Sequence, residues 1–222
     1  MSNPRRRLPV VVLISGGGTN LQALIDAAAA GAPFEIRAVI SNQPDAYGLE
    51  RANRAGIPSE VLDHRRFPDR RDFDEALARI IDNYQPELIL LAGFMRILTP
   101  EFVKRYHGRM LNIHPSLLPR FQGLNTHARV LEAGETEHGA SIHYVTEELD
   151  GGPVIIQARV PVRQDDTPQT LAARVLAQEH RIYPLVVNWV ADGRLTLNDD
   201  KILFDGKPLS QPLRLEQVRE DR

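Results

Sequence analysis

Along the first hundred residues, unbroken apolar runs alternate with segments whose apolar positions recur every three or four residues. Leu8–Ile14 is continuous and rich in β-branched residues, the pattern of a strand buried on both faces. Leu21–Ala30 predicts a helix and Ile36–Ser41 a second strand. Ala46–Ala55 predicts a helix stopped by Gly56 and Pro58, and Glu60–Leu62 a short third strand. In Arg71–Tyr84, residues Phe73, Leu77, Ile80, Ile81 and Tyr84 follow helical spacing. Glu87–Ala92 is another buried-strand run, and Pro100–Tyr106 a short helix. This alternation predicts an α/β fold: a mostly parallel, Rossmann-like sheet flanked by helices.

The pattern changes after His107. A strand carrying Asn112 and His114 leads into a loop rich in Pro, Gly and polar residues, then a helix near Ala128–Ala133. Ala140–Val145 and Val154–Val162 predict strands joined by Thr146–Pro153. Leu171–Trp189 predicts a long helix interrupted or ended near Pro184. Leu195–Leu197 and Ile202–Phe204 predict a closing hairpin, with a charged tail at Leu213–Arg222. The β-rich C-terminal part is expected to continue the sheet. Residues 8–210 are expected to form one domain, in halves 8–106 and 107–210, with tails at 1–7 and 211–222.

Composition narrows the function classes. The 222 residues can bury a substantial core, and a net charge of −2 supplies no general basic field for nucleic acid. Arg5-Arg6-Arg7 reads as a solvated tail. Absence of cysteine removes disulfides, thiolate zinc sites and a cysteine nucleophile, and fits a cytoplasmic protein. Leu8–Ile14 is too short to span a bilayer, so no membrane association is expected.

Candidate chemistry begins at Asn112 and His114. Two positions apart on a strand, they share a face. An amide donor and an imidazole suit a carbonyl carbon that becomes tetrahedral, one stabilising an oxyanion and the other handling protons. Asp150 precedes Gly151-Gly152-Pro153 between two strands. It is either a turn carboxylate or, if the loop folds over His114, a partner that orients and charges the imidazole. Ser116 lies in Pro-Ser-Leu-Leu-Pro, outside any nucleophile elbow, and reads as a structural hydroxyl. Of seven histidines, His127, His138 and His143 do not form the paired-helix pattern of a zinc protease, and His180 reads as a packed or capping side chain. No metal is expected.

The loop Ser15-Gly16-Gly17-Gly18-Thr19-Asn20 lies between the first strand and first helix, where open α/β sheets bind ligands. It lacks a P-loop's Gly-Lys-Ser/Thr ending, and Leu21 stands where a dinucleotide fold has its third glycine. A single phosphate fits it better than a pyrophosphate; the alternative is a tight turn with no ligand. Phe94–Leu98 follows a buried strand at its carboxyl end. Met95 and Leu98 could line an apolar wall, and Arg96 could meet an anionic or carbonyl-rich group.

Together, Ser15–Gln22, Ala92–Leu98, Leu111–Pro119 and His138–Pro153 resemble the phosphoribosylglycinamide formyltransferases, folate-dependent enzymes of purine synthesis. The resemblance runs from about Val10 to Leu209. It implies transfer of a formyl group from 10-formyltetrahydrofolate, as cosubstrate, to the amine of glycinamide ribonucleotide. It carries Asn112, His114 and Asp150 onto the catalytic triplet. Gly18, Thr19, Asn20 and Glu179 fall on the substrate side. On the folate side stand Arg70, Met95, Arg96 and Leu98, with Val145, Thr146, Glu147 and Leu149. Leu176 departs from the Gln or Lys of relatives, and Asn125 from a frequent His. The implied partners are these two small molecules, with no nucleic acid, in a monomer or homodimer.

Three rivals remain. A formyltetrahydrofolate hydrolase would usually carry an added N-terminal regulatory domain, whereas the first strand starts by Leu8. Transfer to methionyl-tRNA would call for a basic RNA-binding domain, beyond the scope of the tail after Pro212. A non-catalytic nucleotide- or folate-binding protein would have no use for an intact Asn112, His114 and Asp150.

Overall fold

The computed structural model describes residues 6–218. In the first half, β1 (Leu8–Ile14), β2 (Phe34–Ser41), β3 (Ser59–Val61), β4 (Leu88–Leu91) and β5 (Met110–His114) alternate with α1 (Thr19–Ala29), α2 (Tyr47–Arg54), α3 (Arg70–Asn83) and α4 (Pro100–Arg105). Next come α5 (Thr126–Glu132), β6 (Glu137–Tyr144), β7 (Val154–Pro161) and α6 (Pro168–Ala191). The chain closes with β8 (Leu195–Asn198), β9 (Lys201–Phe204), β10 (Lys207–Pro208) and β11 (Leu213–Arg214).

The main sheet has the order β11-β7-β6-β5-β4-β1-β2-β3. From β3 to β5 every pairing is parallel; β6 runs antiparallel to β5 and β7, and β11 parallel to β7. The unbroken apolar run of β1 has a direct cause in this order. β1 is central, and Val10–Ile14 are fully buried because helices cover both faces. Even-numbered β1 residues pack with α1 and α6, odd-numbered ones with α3 and α4.

Two expectations need correction. Helix α6 continues through Pro184 to Ala191. Its fully buried face carries Leu171, Val175, Ile182, Tyr183, Val186 and Val187, and burial on that scale outweighs the loss of one helical hydrogen bond. The Tyr183 hydroxyl donates to the carbonyls of Leu91 (2.9 Å) and Leu111 (3.2 Å), tying the helix to β4 and β5. As expected, the β-rich C-terminal part continues the main sheet, through β6, β7 and β11. The hairpin β8–β9 joins β10 in a separate three-stranded sheet, with Leu195 and Ile202 buried and Phe204 edge-on to Trp189. Secondly, the expected tail supplies β11, where Leu213 and Arg214 pair with Ile156 and Gln157. At the other end Arg6 pairs with Glu87, and Arg5 lies outside the described residues.

Parallel strands place their carboxyl ends together. The glycine loop after β1, the segment 93–99 after β4 and the polar residues of β5 therefore converge on one edge.

Candidate active site

Alternation along β5 sets Asn112 and His114 on one face, and the antiparallel register adds to them. Asn112 stands opposite His143, and His114 opposite Ser141. Asn112 Nδ2 lies 3.1 Å from His143 Nε2. His143 Nδ1 is 2.9 Å from the Tyr144 carbonyl, which can only accept, so Nδ1 carries the proton and Nε2 accepts from the amide. Burial holds the His143 pKa down against the raising influence of Tyr144 and Asp150, keeping the ring neutral for that role. One Asn112 N–H is thereby committed and the other remains.

His114 is buried, with Nε2 3.0 Å from the Phe121 carbonyl. By the same logic Nε2 carries a hydrogen, which leaves Nδ1 for chemistry. Asp150 Oδ2 lies 3.4 Å from that Nδ1, and its Oδ1 3.8 Å from His143 Nε2. Asp150 Oδ2 also accepts from the Gly123 N–H at 2.9 Å, and its carbonyl accepts from Gln122 Nε2. The loop after β6 thus folds over His114, and Asp150 is more than a turn carboxylate. Asp150, Phe121 and Asn125 have φ values of 51°, 55° and 56°. Phe121 and Asp150 both meet the His114 ring, and left-handed backbone at non-glycine residues is the kind of strain that collects at functional sites.

One wall of the adjoining cleft is the loop after β4, the other the loop after β6. Arg96, Leu98, Val145, Thr146, Glu147 and Leu149 line it together with Asn112, His143 and Asp150. Arg96 is half-buried, its guanidinium 5.2 Å from the Phe73 ring centre. Two expected folate-side residues are not among these lining side chains. Met95 is exposed and Arg70 opens α3; neither is part of the lining.

On the other side, Gly18 caps α1 with φ 69°. A Cβ there would sit 2.7 Å from the Gly48 Cα, so only glycine fits. Arg51 clamps the loop, donating to the Gly17 carbonyl (2.8 Å) and to Gln22 (3.1 Å). Asn20 is buried and donates to Glu179 at 2.7 Å, while its own Oδ1 is buried without a partner. Burial raises the Glu179 pKa and the Asn20 bond opposes the rise. Thr19 lines a cleft with Arg51 and His180, whose buried Nε2 also lacks a partner.

Sequence reasoning missed the place of His143 beside Asn112, the hold of Arg51 on the glycine loop and the place of His180 in the cleft with Thr19. Only the strand register brings His143 to Asn112. Among the described residues, no group of three His, Cys, Asp or Glu is arranged to hold a metal. No described helix is long and apolar enough to cross a membrane.

Behind His114, His127 Nδ1 and His138 Nε2 lie 3.0 Å apart and share one proton. Burial, then the neighbouring histidines, pushes His138 down to about 4, and burial lowers His127 as well. Stability held by a neutral His138 is present above its unfolded value of 6.5 and is lost as pH falls towards about 4. Thermal melts should show a falling Tm across that window, with a shallower slope in His138→Gln. An unchanged slope in the variant would remove His138 from the account.

Residues 8–187 match the formyl transferase family model. The chain is 54% identical over 201 residues to phosphoribosylglycinamide formyltransferase of Escherichia coli strain K12, covering 90% of this chain and 95% of that protein. It is 48% identical over 194 residues to the trifunctional purine biosynthetic protein adenosine-3 of Gallus gallus, covering 87% of this chain and 19% of that one. The solved phosphoribosylglycinamide formyltransferase of Coxiella burnetii superposes with a TM-score of 0.91 at 57% identity, covering 94% of this chain and 99% of that one.

Proposed function

The chain belongs to the formyl transferase family, among its phosphoribosylglycinamide formyltransferases, and from that premise we propose how its residues carry out formyl transfer in purine synthesis. The donor is 10-formyltetrahydrofolate, seated between the loops after β4 and β6. The acceptor is glycinamide ribonucleotide, its phosphate at Gly18–Thr19. Asn20 Oδ1, a buried acceptor without a partner, and Glu179 suit a donor group of that substrate. Residues 8–210 act as one unit, because both halves contribute to this cleft, and the setting is the cytoplasm.

The single observation that carries the mechanism is that two cleft-lining residues, Asn112 and Asp150, are paired with His143 and His114 respectively. The substrate amine attacks the formyl carbon and an oxyanion forms. The uncommitted Asn112 N–H donates to it, and so does Nδ1–H of the His114 imidazolium, whose other N–H stays on the Phe121 carbonyl. The amine nitrogen, cationic after attack, loses one proton; the folate nitrogen gains one as its bond to the formyl carbon breaks. Asp150, directly or through a water, moves that proton. Holding both substrates in one cleft supplies much of the remaining acceleration.

Incubation with 10-formyltetrahydrofolate, with and without glycinamide ribonucleotide, tests the proposal. Tetrahydrofolate should appear only with the amine present. Release without it would make the protein a hydrolase, and no release a binding protein.

A further inference from the structure

Segment 93–99 belongs to no strand or helix, yet Phe94, Arg96, Ile97 and Leu98 form one wall of the cleft. Two side chains from elsewhere hold its backbone. Ser15 Oγ accepts from the Met95 N–H at 2.7 Å, and the Ser15 N–H donates to the Gly93 carbonyl at 3.1 Å. The Ser15 hydroxyl in turn donates to Oδ1 of buried Asn42, at the end of β2. At the other end, Asp74 Oδ2 accepts from the Thr99 N–H at 2.6 Å. Asp74 is 3% exposed on the inner face of α3, an expensive place for a carboxylate unless a donor needs it. Its neighbour Phe73 carries the Arg96 guanidinium. Neither Ser15 nor Asp74 lines the cleft.

We infer that Ser15 and Asp74 are positioning residues that clasp the 93–99 loop at both ends and set the donor-binding wall against the glycine loop. Ser15 has a double place in this scheme. It opens the glycine loop and grips the folate wall, so both substrate subsites are referred to one hydroxyl. The inference rests on the proposed function for its choice of ligand.

Steady-state kinetics on Ser15→Ala, Ser15→Thr, Asp74→Ala and Asp74→Asn test it. Loss of an acceptor for a constrained N–H should raise the KM for 10-formyltetrahydrofolate about tenfold in each alanine variant. With donor saturating, kcat should stay within about twofold of wild type. Ser15→Thr and Asp74→Asn each keep an acceptor oxygen and should restore most of the donor KM. Alanine variants with a wild-type donor KM would overturn the inference, as would conservative variants no better than alanine. Where an alanine variant does not fold, amide exchange in the wild type decides. Met95 and Thr99 should exchange more slowly than Ile97 and Leu98; equal rates would overturn the clasp. A wild type that transfers no formyl group would fail the functional reading alone, and tetrahydrofolate titration would then replace KM.

Discussion

Asp150→Asn should lower kcat by about 10²- to 10⁴-fold, the range for loss of a positioned acid–base group, with both KM values within a few fold. The substitution preserves shape. The side-chain amide oxygen it introduces can still accept from the Gly123 N–H, and the backbone carbonyl can still accept from Gln122, so the loop should stay closed over His114. What disappears is the charge 3.4 Å from His114 Nδ1 and the capacity to take a proton from the attacking amine. Rapid-quench measurement of a single turnover isolates the chemical step from product release. A variant that retains full single-turnover rate would remove Asp150 from proton transfer. A variant with raised KM and intact kcat would reduce it to a residue that shapes the cleft.

Legibility in the sequence followed the range of the interactions involved. The strand–helix alternation and the glycine loop are local, and each left a local mark: Leu8–Ile14 is unbroken because β1 is central, and Gly18 is fixed by its own φ and by Gly48. The same-face relation of Asn112 and His114 follows from two-residue periodicity alone. His143 left no such mark. Its partnership with Asn112 depends on which strand pairs with β5, in which direction and in what register, and 31 positions separate the two residues. Pro184 misled for the complementary reason. Local preference argued for a break, and tertiary burial of α6 overrode it. Arg70 and Met95 were carried over with the family resemblance, and in this chain both stand outside the cleft lining. Asp74 reads in sequence as one more polar residue of an amphipathic helix; only the inward direction of its carboxylate distinguishes it.

Asn112→Leu should lower kcat by about 10²- to 10³-fold, the usual consequence of removing one oxyanion donor, or about 2.7–4 kcal/mol of transition-state stabilisation. Leucine approximates the shape of asparagine and offers no donor. The substrate carbonyl is a weaker acceptor than the oxyanion it becomes, so the loss should fall on kcat and leave the donor KM little changed. His143 makes the prediction sharper. Its Nδ1 hydrogen is held by the Tyr144 carbonyl, which leaves Nε2 to orient the amide. His143→Phe removes that acceptor while Asn112 stays, so the amide is free to rotate and kcat should fall by a smaller factor. In the double variant the two losses should not add, because the ring acts only through the amide. Additive losses would give His143 an independent role, through Asp150 at 3.8 Å. If Asn112→Leu kept wild-type kcat, the oxyanion would have to be held by His114 alone, and the shared face of β5 would lose its catalytic meaning.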